Sequence, residues 1–300
     1  MQDQNTCPIC GETSRSHWGN TNGYDILRCQ NCGLGITSPF PTPTDIKDSN
    51  ADIYRIESRG SLYLRKQWYF KRRYHSQLRR IKQHVPSGRL LDIGCNIGLF
   101  LNCAKEAGFE VEGIELNKES AEFGRNHFKL QIHSTPLEEI NFPEQSFDVI
   151  TMYDVLEHIP DLHKALSTVK RILKPGGVLV VQSPNIESLM ASLTVSNWCW
   201  LTPPDHLYHF TPQSMKRLIT DHGFELLMLR TWEPAKDFST NLAASWHEQG
   251  YIPRFIRGLL RDLRIIWLPT ILFQRIWWQK QQGGLIELIA TLRKPSSPKD

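Results

Sequence analysis

One stretch of this 300-residue sequence decides the fold: Arg89-Leu-Leu-Asp92-Ile-Gly94-Cys-Asn96-Ile-Gly98-Leu-Phe-Leu101. Its apolar beginning predicts a short strand, its two glycines predict a turn, and the residues after Gly98 have helical spacing. A second strand is predicted at 110–115 and ends on the acidic residue Glu115. Strand, turn, helix and strand in this order form a βαβ unit, which places two parallel strands in one sheet.

The turn predicts a ligand site, because ligands of parallel sheets bind at the carboxyl ends of the strands. Glycine at 94 and 98 lets a ligand approach the backbone and lets the helix pack on the strand. Glu115 follows Gly94 by 21 residues and can accept two hydrogen bonds from a ribose diol. A dinucleotide site would carry G-x-G-x-x-G, whereas this turn reads D-x-G-x-x-x-G. Asp92 would repel pyrophosphate and favours a cationic ligand with an amino group, such as S-adenosylmethionine.

The rest of the central region repeats the alternation of strand and helix. Further strands are predicted at 129–133, 146–152 and 176–182, then at 224–231 and 284–292. This pattern predicts a seven-stranded, doubly wound, Rossmann-like α/β sheet, with a helical insertion before the last strand. The carboxyl ends of the strands then bring together on one rim Asp92, Glu115, Tyr153 and Asp154.

The first residues contain two Cys-x-x-Cys-Gly units, Cys7/Cys10 and Cys29/Cys32, separated by 18 residues. Four thiolates at this spacing favour a closed tetrahedral zinc site, with a structural role and no open coordination position. A redox function for each pair is the alternative. Three prolines within 38–44 end this small zinc-ribbon module.

Basic residues concentrate in two regions of the chain. Residues 55–89 hold 11 Lys/Arg and one Asp/Glu, and residues 251–300 hold nine and three. Apolar residues at helical spacing within 55–85 predict one or two amphipathic helices with the basic face outward. An anionic substrate, a membrane surface or nucleic acid is the alternative to simple solvation of these faces.

Arginines and tryptophans alternate with apolar residues between 251 and 280. This composition predicts either a helical lid or a peripheral membrane contact through 251–280. No signal peptide is predicted at the N-terminus, so a cytoplasmic location is expected, with peripheral contact at the membrane as the alternative.

Taken together, the motifs resemble those of class I S-adenosylmethionine-dependent methyltransferases. The stretch LLDIGCNIGLF is similar to the family's first motif, although Asn96 replaces the usual middle glycine. Asn tolerates positive φ, so the turn is expected to be retained. Residues 146–161 resemble the fourth-strand motif, and 173–185 resemble the LKPGG turn and fifth strand. Residues 197–224 resemble a subgroup with quinone-ring O-methyltransferases and sugar methyltransferases, several of which carry a four-cysteine module.

The resemblance implies S-adenosylmethionine as cofactor beside a structural zinc. The expected cofactor-binding residues are Asp92, Gly94, Asn96, Gly98, Glu115, Leu116, Tyr153 and Asp154. The expected reaction is methylation, chiefly on oxygen, of a small-molecule, sugar, quinone or lipid-linked acceptor. The alternative function is an RNA methyltransferase that binds RNA through the zinc ribbon and the basic segment. The sequence lacks the Asn/Asp-Pro-Pro-Tyr/Phe motif of nucleic-acid methyltransferases that act on amino groups, so nucleic acid is not the expected partner.

A base is usually needed to methylate oxygen, and histidine suits this role near neutral pH. The candidates are His158, His206 and His209, and hydrogen bonds that hold a loop are the alternative role for each. Glu157 with His158 is also a candidate for holding a divalent cation, as the resemblance suggests. The sequence leaves open the acceptor atom, the identity of the base and the oligomeric state.

The predicted organisation has five parts. They are a zinc-ribbon module at 1–44, basic linker and N-terminal helices at 45–88, an S-adenosylmethionine-binding domain at 89–231, a helical insertion or lid at 232–283, and a final strand and tail at 284–300.

Overall fold

The computed structural model describes residues 6–46, 67–234, 237–238, 240–241, 276 and 279–292. The strands, in chain order, are β1 (Arg15–Thr21), β2 (Tyr24–Cys29), β3 (Gly35–Ser38), β4 (Gly88–Ile93), β5 (Phe109–Ile114), β6 (Gln131–His133), β7 (Phe147–Tyr153), β8 (Leu173–Pro184), β9 (Tyr208–His209), β10 (Phe224–Trp232) and β11 (Leu285–Leu292). The helices are α1 (Gln67–Lys82), α2 (Leu99–Glu106), α3 (Lys118–Phe128), α4 (Leu162–Ile172), α5 (Leu189–Thr194) and α6 (Pro212–Asp221).

Seven strands form one sheet, in the order β10-β11-β8-β7-β4-β5-β6. Strand β4 pairs in parallel with both β5 and β7, and β5 pairs in parallel with β6. These strands carry apolar side chains that are almost fully buried, as expected for a sheet covered on both faces. The predicted Rossmann-like sheet is therefore confirmed, and its seven strands match the predicted positions within a few residues.

The chain divides into two compact units by its contacts. We call them the ribbon unit (Met1–Ile46, Gln182–Leu218 and Met228–Leu288) and the sheet unit (Lys47–Val181, Ile219–Leu227 and Ile289–Asp300). The predicted cofactor residues all belong to the sheet unit. The four predicted zinc ligands, His206 and His209 belong to the ribbon unit.

Within the ribbon unit, four strands form a second sheet in the order β1-β2-β3-β9. Strand β9 pairs antiparallel with β3, so that Gly35 faces His209 and Ile36 faces Tyr208. A Cβ on Gly35 would lie 2.9 Å from Ile186 and 3.0 Å from His209, which explains why glycine stands there. The N-terminal strands therefore share a sheet with residues beyond position 200, rather than forming an isolated ribbon.

An apolar cluster supports this second sheet inside the ribbon unit. Its buried members come from β2 and from the segment after β8: Ile26, Ile186, Met190, Ala191, Trp198 and Leu201. Trp18 of β1 packs edge-on against Trp198, with ring centroids 6.3 Å apart. The ribbon unit thus has an apolar core of its own, in addition to its cysteine cluster.

Within the sheet unit, local signals fix the ends of the helices. The side chain of Asn117 accepts a hydrogen bond from the Ser120 N–H and caps α3. Asp161 caps α4 in the same manner by accepting from the Lys164 N–H. Helix α1 packs through Leu78 and Ile81, which are fully buried.

Three predictions concern regions that the structure describes in part or hardly at all. The basic linker and N-terminal helices at 45–88 are described only at 45–46 and from residue 67 onward. The helical insertion at 232–283 and the membrane contact at 251–280 fall largely outside the described residues. In the part of the chain that is described, no helix combines the length and hydrophobicity that crossing a bilayer requires.

Candidate functional site

The turn after β4 holds three residues at positive φ, Gly94 at 74°, Asn96 at 50° and Gly98 at 81°. A Cβ on Gly94 would lie 2.3 Å from Val155, and one on Gly98 would lie 2.6 Å from Leu130. Both glycines are therefore required by the backbone and by packing. The side-chain oxygen of Asn96 accepts the Ile97 N–H at 2.7 Å, which stabilises its left-handed conformation. The prediction that Asn96 retains the turn is confirmed.

Glu115 ties this turn to the end of β5. Its Oε2 accepts the backbone N–H of Asn96 at 2.8 Å, and its Oε1 accepts that of Asn117 at 2.8 Å. The residue is only 8% exposed, and burial raises the pKa of the carboxyl group. A carboxylate offers about four lone-pair positions, so each oxygen keeps capacity for a ligand hydroxyl. The geometry fits the predicted role of Glu115 in binding a ribose.

Asp92 lies at the end of β4 and is 4% exposed. The Thr151 hydroxyl donates to its Oδ1 at 2.6 Å. Burial raises the pKa of Asp92 to about 7, with a smaller contribution from the charge of Glu115. The ionised form is costly in this position because burial removes it from water and Glu115 adds a like charge. A cationic ligand beside Asp92 would lower that cost, so the side chain fits a ligand that carries an amino group or a sulfonium.

The remaining predicted cofactor residues line the loops after β5 and β7. Leu116 is 60% exposed and offers an apolar surface next to Glu115. The ring of Tyr153 packs edge-on against Phe100, with centroids 5.1 Å apart. Asp154 follows it at a positive φ of 58°, so the backbone bends sharply where β7 ends. These residues fit a site for a ligand with both an apolar ring and polar groups.

Helix α1 adds residues that the sequence analysis missed. Arg73 lies 3.9 Å from the Asp154 carboxylate, and only a quarter of its side chain is exposed. The ring of Tyr74 packs edge-on against Phe100 at 5.5 Å, and Phe100 contacts Tyr153. Not all basic side chains of α1 face outward, contrary to our expectation. The aromatic residues at 70 and 74, four apart, were the signal that this face of the helix packs against the rest of the sheet unit.

The four cysteines of the ribbon unit come together as predicted. The Sγ atoms of Cys7 and Cys32 are 3.5 Å apart, and those of Cys10 and Cys29 are 3.4 Å apart. All four Sγ atoms lie within 4.8 Å of one another. Sulfurs that share one tetrahedral zinc at about 2.3 Å are about 3.8 Å apart, so the cluster fits this metal.

Two of the three candidate histidines lie in the ribbon unit, on or next to β9. The rings of His206 and His209 are 6.2 Å apart, and both residues are buried. The Nε2 of His209 lies 3.1 Å from the Thr37 hydroxyl. Burial lowers the pKa of His209 to about 3, so its imidazole is neutral at any working pH. These contacts agree with a loop-fixing role for His209.

The third candidate, His158, ends a 3₁₀ turn, Leu156–His158, four residues after Asp154. Its neighbour Glu157 is fully buried, whereas His158 is partly exposed. The backbone N–H of His158 donates to the carbonyl of Val155 at 3.0 Å. The sheet unit therefore holds His158 on the loop that follows Tyr153 and Asp154, and the divalent-cation hypothesis for Glu157 and His158 stays a prediction.

A family model described as a methyltransferase domain matches residues 65–229, which is more than half of the chain. This chain belongs to the methyltransferase domain family. The match confirms the resemblance inferred from the motifs, and it begins at helix α1 and ends within β10.

The curated proteins that this chain resembles include ubiquinone biosynthesis O-methyltransferases. A ubiquinone biosynthesis O-methyltransferase of Bordetella avium is 32% identical over 95 residues, which are 30% of this chain and 39% of the relative. The protein of the same name from Rhizobium leguminosarum is 24% identical over 173 residues, 51% of this chain and 69% of the relative. The chain therefore spans less than half the length of the first relative.

Solved structures agree on the fold of the family. A SAM-dependent methyltransferase from Archaeoglobus fulgidus superposes with a TM-score of 0.52 at 20% identity. The superposition covers 77% of this chain and 99% of that protein. At this identity the likeness establishes the fold of the sheet alone.

Proposed function

We propose that this protein transfers the methyl group of S-adenosylmethionine to an oxygen atom of a small-molecule acceptor. The observation that carries the proposal is the pair of buried acids at the ends of adjacent strands, Asp92 and Glu115, around one positive-φ turn. Family membership gives the reaction class, and these two side chains give the chemistry of the donor. A phosphate-bearing cofactor would meet two carboxylates there.

Five of the eight predicted cofactor residues act through their side chains in this proposal, while Gly94, Asn96 and Gly98 shape the turn. Glu115 accepts hydrogen bonds from the ribose hydroxyls, Asp92 stabilises the cationic amino group, and the exposed Leu116 covers one face of the adenine. When bound, the cofactor supplies an electrophilic methyl group on a sulfonium. Tyr153 and Asp154, with Arg73 and Tyr74 of α1, complete the enclosure and exclude water.

His158 and His206 are the residues we propose as candidates for the base. A neutral imidazole takes the proton from the acceptor hydroxyl while the oxygen attacks the methyl group in line. His209 does not suit this step, since a pKa of about 3 leaves it too weakly basic to hold that proton near neutral pH. We assign to His209 the task of holding its own segment in place.

We propose structural zinc at Cys7, Cys10, Cys29 and Cys32. The donor set is four sulfurs, and the sulfur distances fit one tetrahedral ion. Four protein ligands leave no open position, so no step of methyl transfer involves this metal. Its proposed contribution is to stabilise the ribbon unit.

For the acceptor, we propose a ring hydroxyl, because the relatives named above are ubiquinone biosynthesis O-methyltransferases. A sugar or lipid-linked hydroxyl is the next choice, and contact with a membrane through 251–280 belongs to that case. None of the proteins compared above is described as acting on RNA. We therefore propose a small molecule as the partner.

Transfer of a labelled methyl group tests the function. Purified protein is incubated with labelled S-adenosylmethionine and a set of catechols, quinols, sugars and lipid extracts. We expect a labelled product with a ring hydroxyl acceptor. Either His158→Ala or His206→Ala should lower turnover about 10²- to 10⁴-fold, the usual contribution of a base, without changing the cofactor Kd.

The matched control is His127→Ala, which removes an exposed histidine on α3 and should retain wild-type turnover. Cofactor binding without transfer to any acceptor class would contradict the proposal. Wild-type turnover in both histidine variants would leave positioning, rather than base catalysis, as the mechanism.

A further inference from the structure

One side chain of the N-terminal module holds the segment that contains His206 and His209. The backbone N–H of Thr37 donates to the carbonyl of Leu207 at 3.1 Å. The Thr37 hydroxyl donates to the carbonyl of His206 at 2.6 Å and also lies 3.1 Å from Nε2 of His209. Thr37 is 1% exposed, so water does not compete for these bonds.

The proton positions in this cluster follow from simple counting. A hydroxyl has one hydrogen, and a carbonyl oxygen can only accept, so the Thr37 hydrogen lies on the bond to His206. The Thr37 oxygen must then accept from His209, which places a proton on Nε2. His209 is therefore the neutral Nε2–H tautomer, with the lone pair of its ring on Nδ1.

Other bonds attach the same segment to the module at both ends. Ahead of His206, the Asn22 side-chain amide donates to the carbonyl of Pro203 at 3.0 Å. Beyond His209, the hydroxyl of Thr211 donates to the carbonyl of the cysteine at position 32 at 3.3 Å. Residues 22, 32 and 37 of the N-terminal module therefore hold residues 203–211 through hydrogen bonds at three separate points. Thr37 makes the central one.

We propose that Thr37 is a positioning residue for methyl transfer, which fixes the backbone of His206 and the tautomer of His209. This inference rests on the proposed function, in which His206 is a candidate base. It gives the four-cysteine module a task in the reaction, because β3 places Thr37 in hydrogen-bond contact with His206 and His209. A displacement of about 1 Å in a catalytic group costs as much as 10²-fold in rate.

The first test needs no substitution in Thr37 and no activity. Nitrogen-15 spectra of the wild-type protein report which ring nitrogen of each histidine carries the proton. The His209 signal is assigned as the one that disappears in His209→Gln. We expect the Nε2–H tautomer, unchanged between pH 6 and 8. The Nδ1–H tautomer would overturn the proposal.

The second test compares Thr37→Val, which keeps the shape but removes the hydroxyl, with Thr37→Ser, which keeps the hydroxyl. Hydrogen exchange of the peptide that covers 205–211 should be faster in Thr37→Val and near wild type in Thr37→Ser. With an acceptor, kcat should fall about 10- to 100-fold in Thr37→Val. Thr37→Ser should restore most of it, and the cofactor Kd should stay unchanged in both.

The outcomes separate this inference from the function on which it rests. Metal content near one zinc per chain in Thr37→Val shows that the variant keeps its module. A methyl-transferring protein with wild-type kcat and exchange in Thr37→Val would refute the role of Thr37. A wild type that transfers no methyl group would refute the function, while the tautomer and the exchange rates would still decide whether Thr37 holds the segment.

Discussion

The turn after β4 and the four-stranded sheet of the ribbon unit are built in contrasting ways. The turn takes its main residues from one short stretch, 92–98, and from Glu115 at the end of the next strand. The side chains of Asn96 and Glu115 hold it by accepting backbone N–H groups. The ribbon unit combines residues that are 172 positions apart, Thr37 and His209, in one sheet. Local sequence specifies the turn, whereas long-range pairing completes the sheet of the ribbon unit.

The two regions also differ in how they treat charge. The turn buries Asp92 beside Glu115, so ionisation of Asp92 is costly, and in our proposal a cationic ligand lowers that cost. The ribbon unit gathers four thiols, and a bound divalent metal would stabilise them as thiolates and offset part of their negative charge. In our proposal, the turn uses the buried acid to attract a cationic ligand that comes and goes, while the ribbon unit uses its thiols to hold a permanent metal. Four predictions test this contrast.

The largest effect is expected for Cys29→Ser, which removes one of the four thiols. The variant should lose its zinc and show a separate, low-temperature unfolding transition of the ribbon unit. Metal binding supplies about 10 kcal/mol or more of folding free energy in small zinc domains. Metal analysis and calorimetry are the measurements.

The control for this loss is Cys103→Ala, because Cys103 is a buried thiol of α2 outside the cluster. It should keep a full complement of zinc. Loss of cofactor binding in Cys29→Ser, in parallel with loss of metal, would contradict the view that the turn is specified by local sequence and independent of the metal.

The next effect in size concerns Glu115→Gln. The substitution removes the charge that accepts the Asn96 and Asn117 N–H groups and, in our proposal, the ribose hydroxyls. Hydrogen bonds to charged groups contribute about 1.5–3 kcal/mol, so the cofactor Kd should rise about 10- to 150-fold. Calorimetric titration measures the change.

Glu119→Gln provides the comparison, since Glu119 is exposed in the first turn of α3 and only four residues away. Its affinity should equal that of wild type. Equal affinity in Glu115→Gln as well would remove Glu115 from the site.

A smaller effect is expected from pH. The pKa of Asp92 is raised to about 7, so the carboxyl group takes up a proton as the pH falls through 7 and loses its attraction for a cation. The cofactor Kd should therefore rise by up to about tenfold for each pH unit below 7, and binding near pH 7 should release a proton. Titrations at pH 5.5 to 8 in buffers of different ionisation enthalpy measure both.

Asp92→Asn is the control, because its amide oxygen still accepts from Thr151 but does not titrate. Its affinity for the cofactor should be low, with a Kd that does not depend on pH.

The folding stability of the wild type should depend on pH with the opposite sign. An acid with a raised pKa holds its proton more tightly in the folded state, so the unliganded wild type loses stability as pH rises from about 4 to about 7. Asp92→Asn should not lose it, and a variant with the wild-type pH profile would show that another group titrates.

The smallest effect concerns Asn96 at its positive φ of 50°. Asn96→Gly relieves the strain of positive φ but loses the hydrogen bond from the Ile97 N–H. The free energy of unfolding should therefore change by less than about 1 kcal/mol. Asn96→Ala keeps a Cβ without the bond and should cost about 1–2 kcal/mol. Chemical denaturation measures both variants. A destabilised Asn96→Gly would mean that the side chain, rather than the backbone, holds the turn.

The sequence predicted the parts of the molecule in which neighbours along the chain are neighbours in space. The βαβ unit, the turn at Asn96 and the four thiols all come from short motifs, so their geometry follows from spacing. The pairing of β3 with β9 carries no such signal, because only two residues of β9 take part. Arg73 was missed because basic residues on a helix usually face solvent, and its approach to Asp154 depends on how α1 packs.

The two-residue contact between β3 and β9 has a consequence for synthesis on the ribosome. Thr37 emerges 172 residues before His209. At a synthesis rate of about 5–20 residues per second, the edge of β3 that later pairs with β9 stays unpaired for about 10–30 s. Such edges recruit strands from other chains, and the brevity of β3, Gly35–Ser38, limits that hazard. Strand β3 is therefore completed long after it is made, and we expect nascent chains that stall before residue 208 to aggregate more than chains that stall after it.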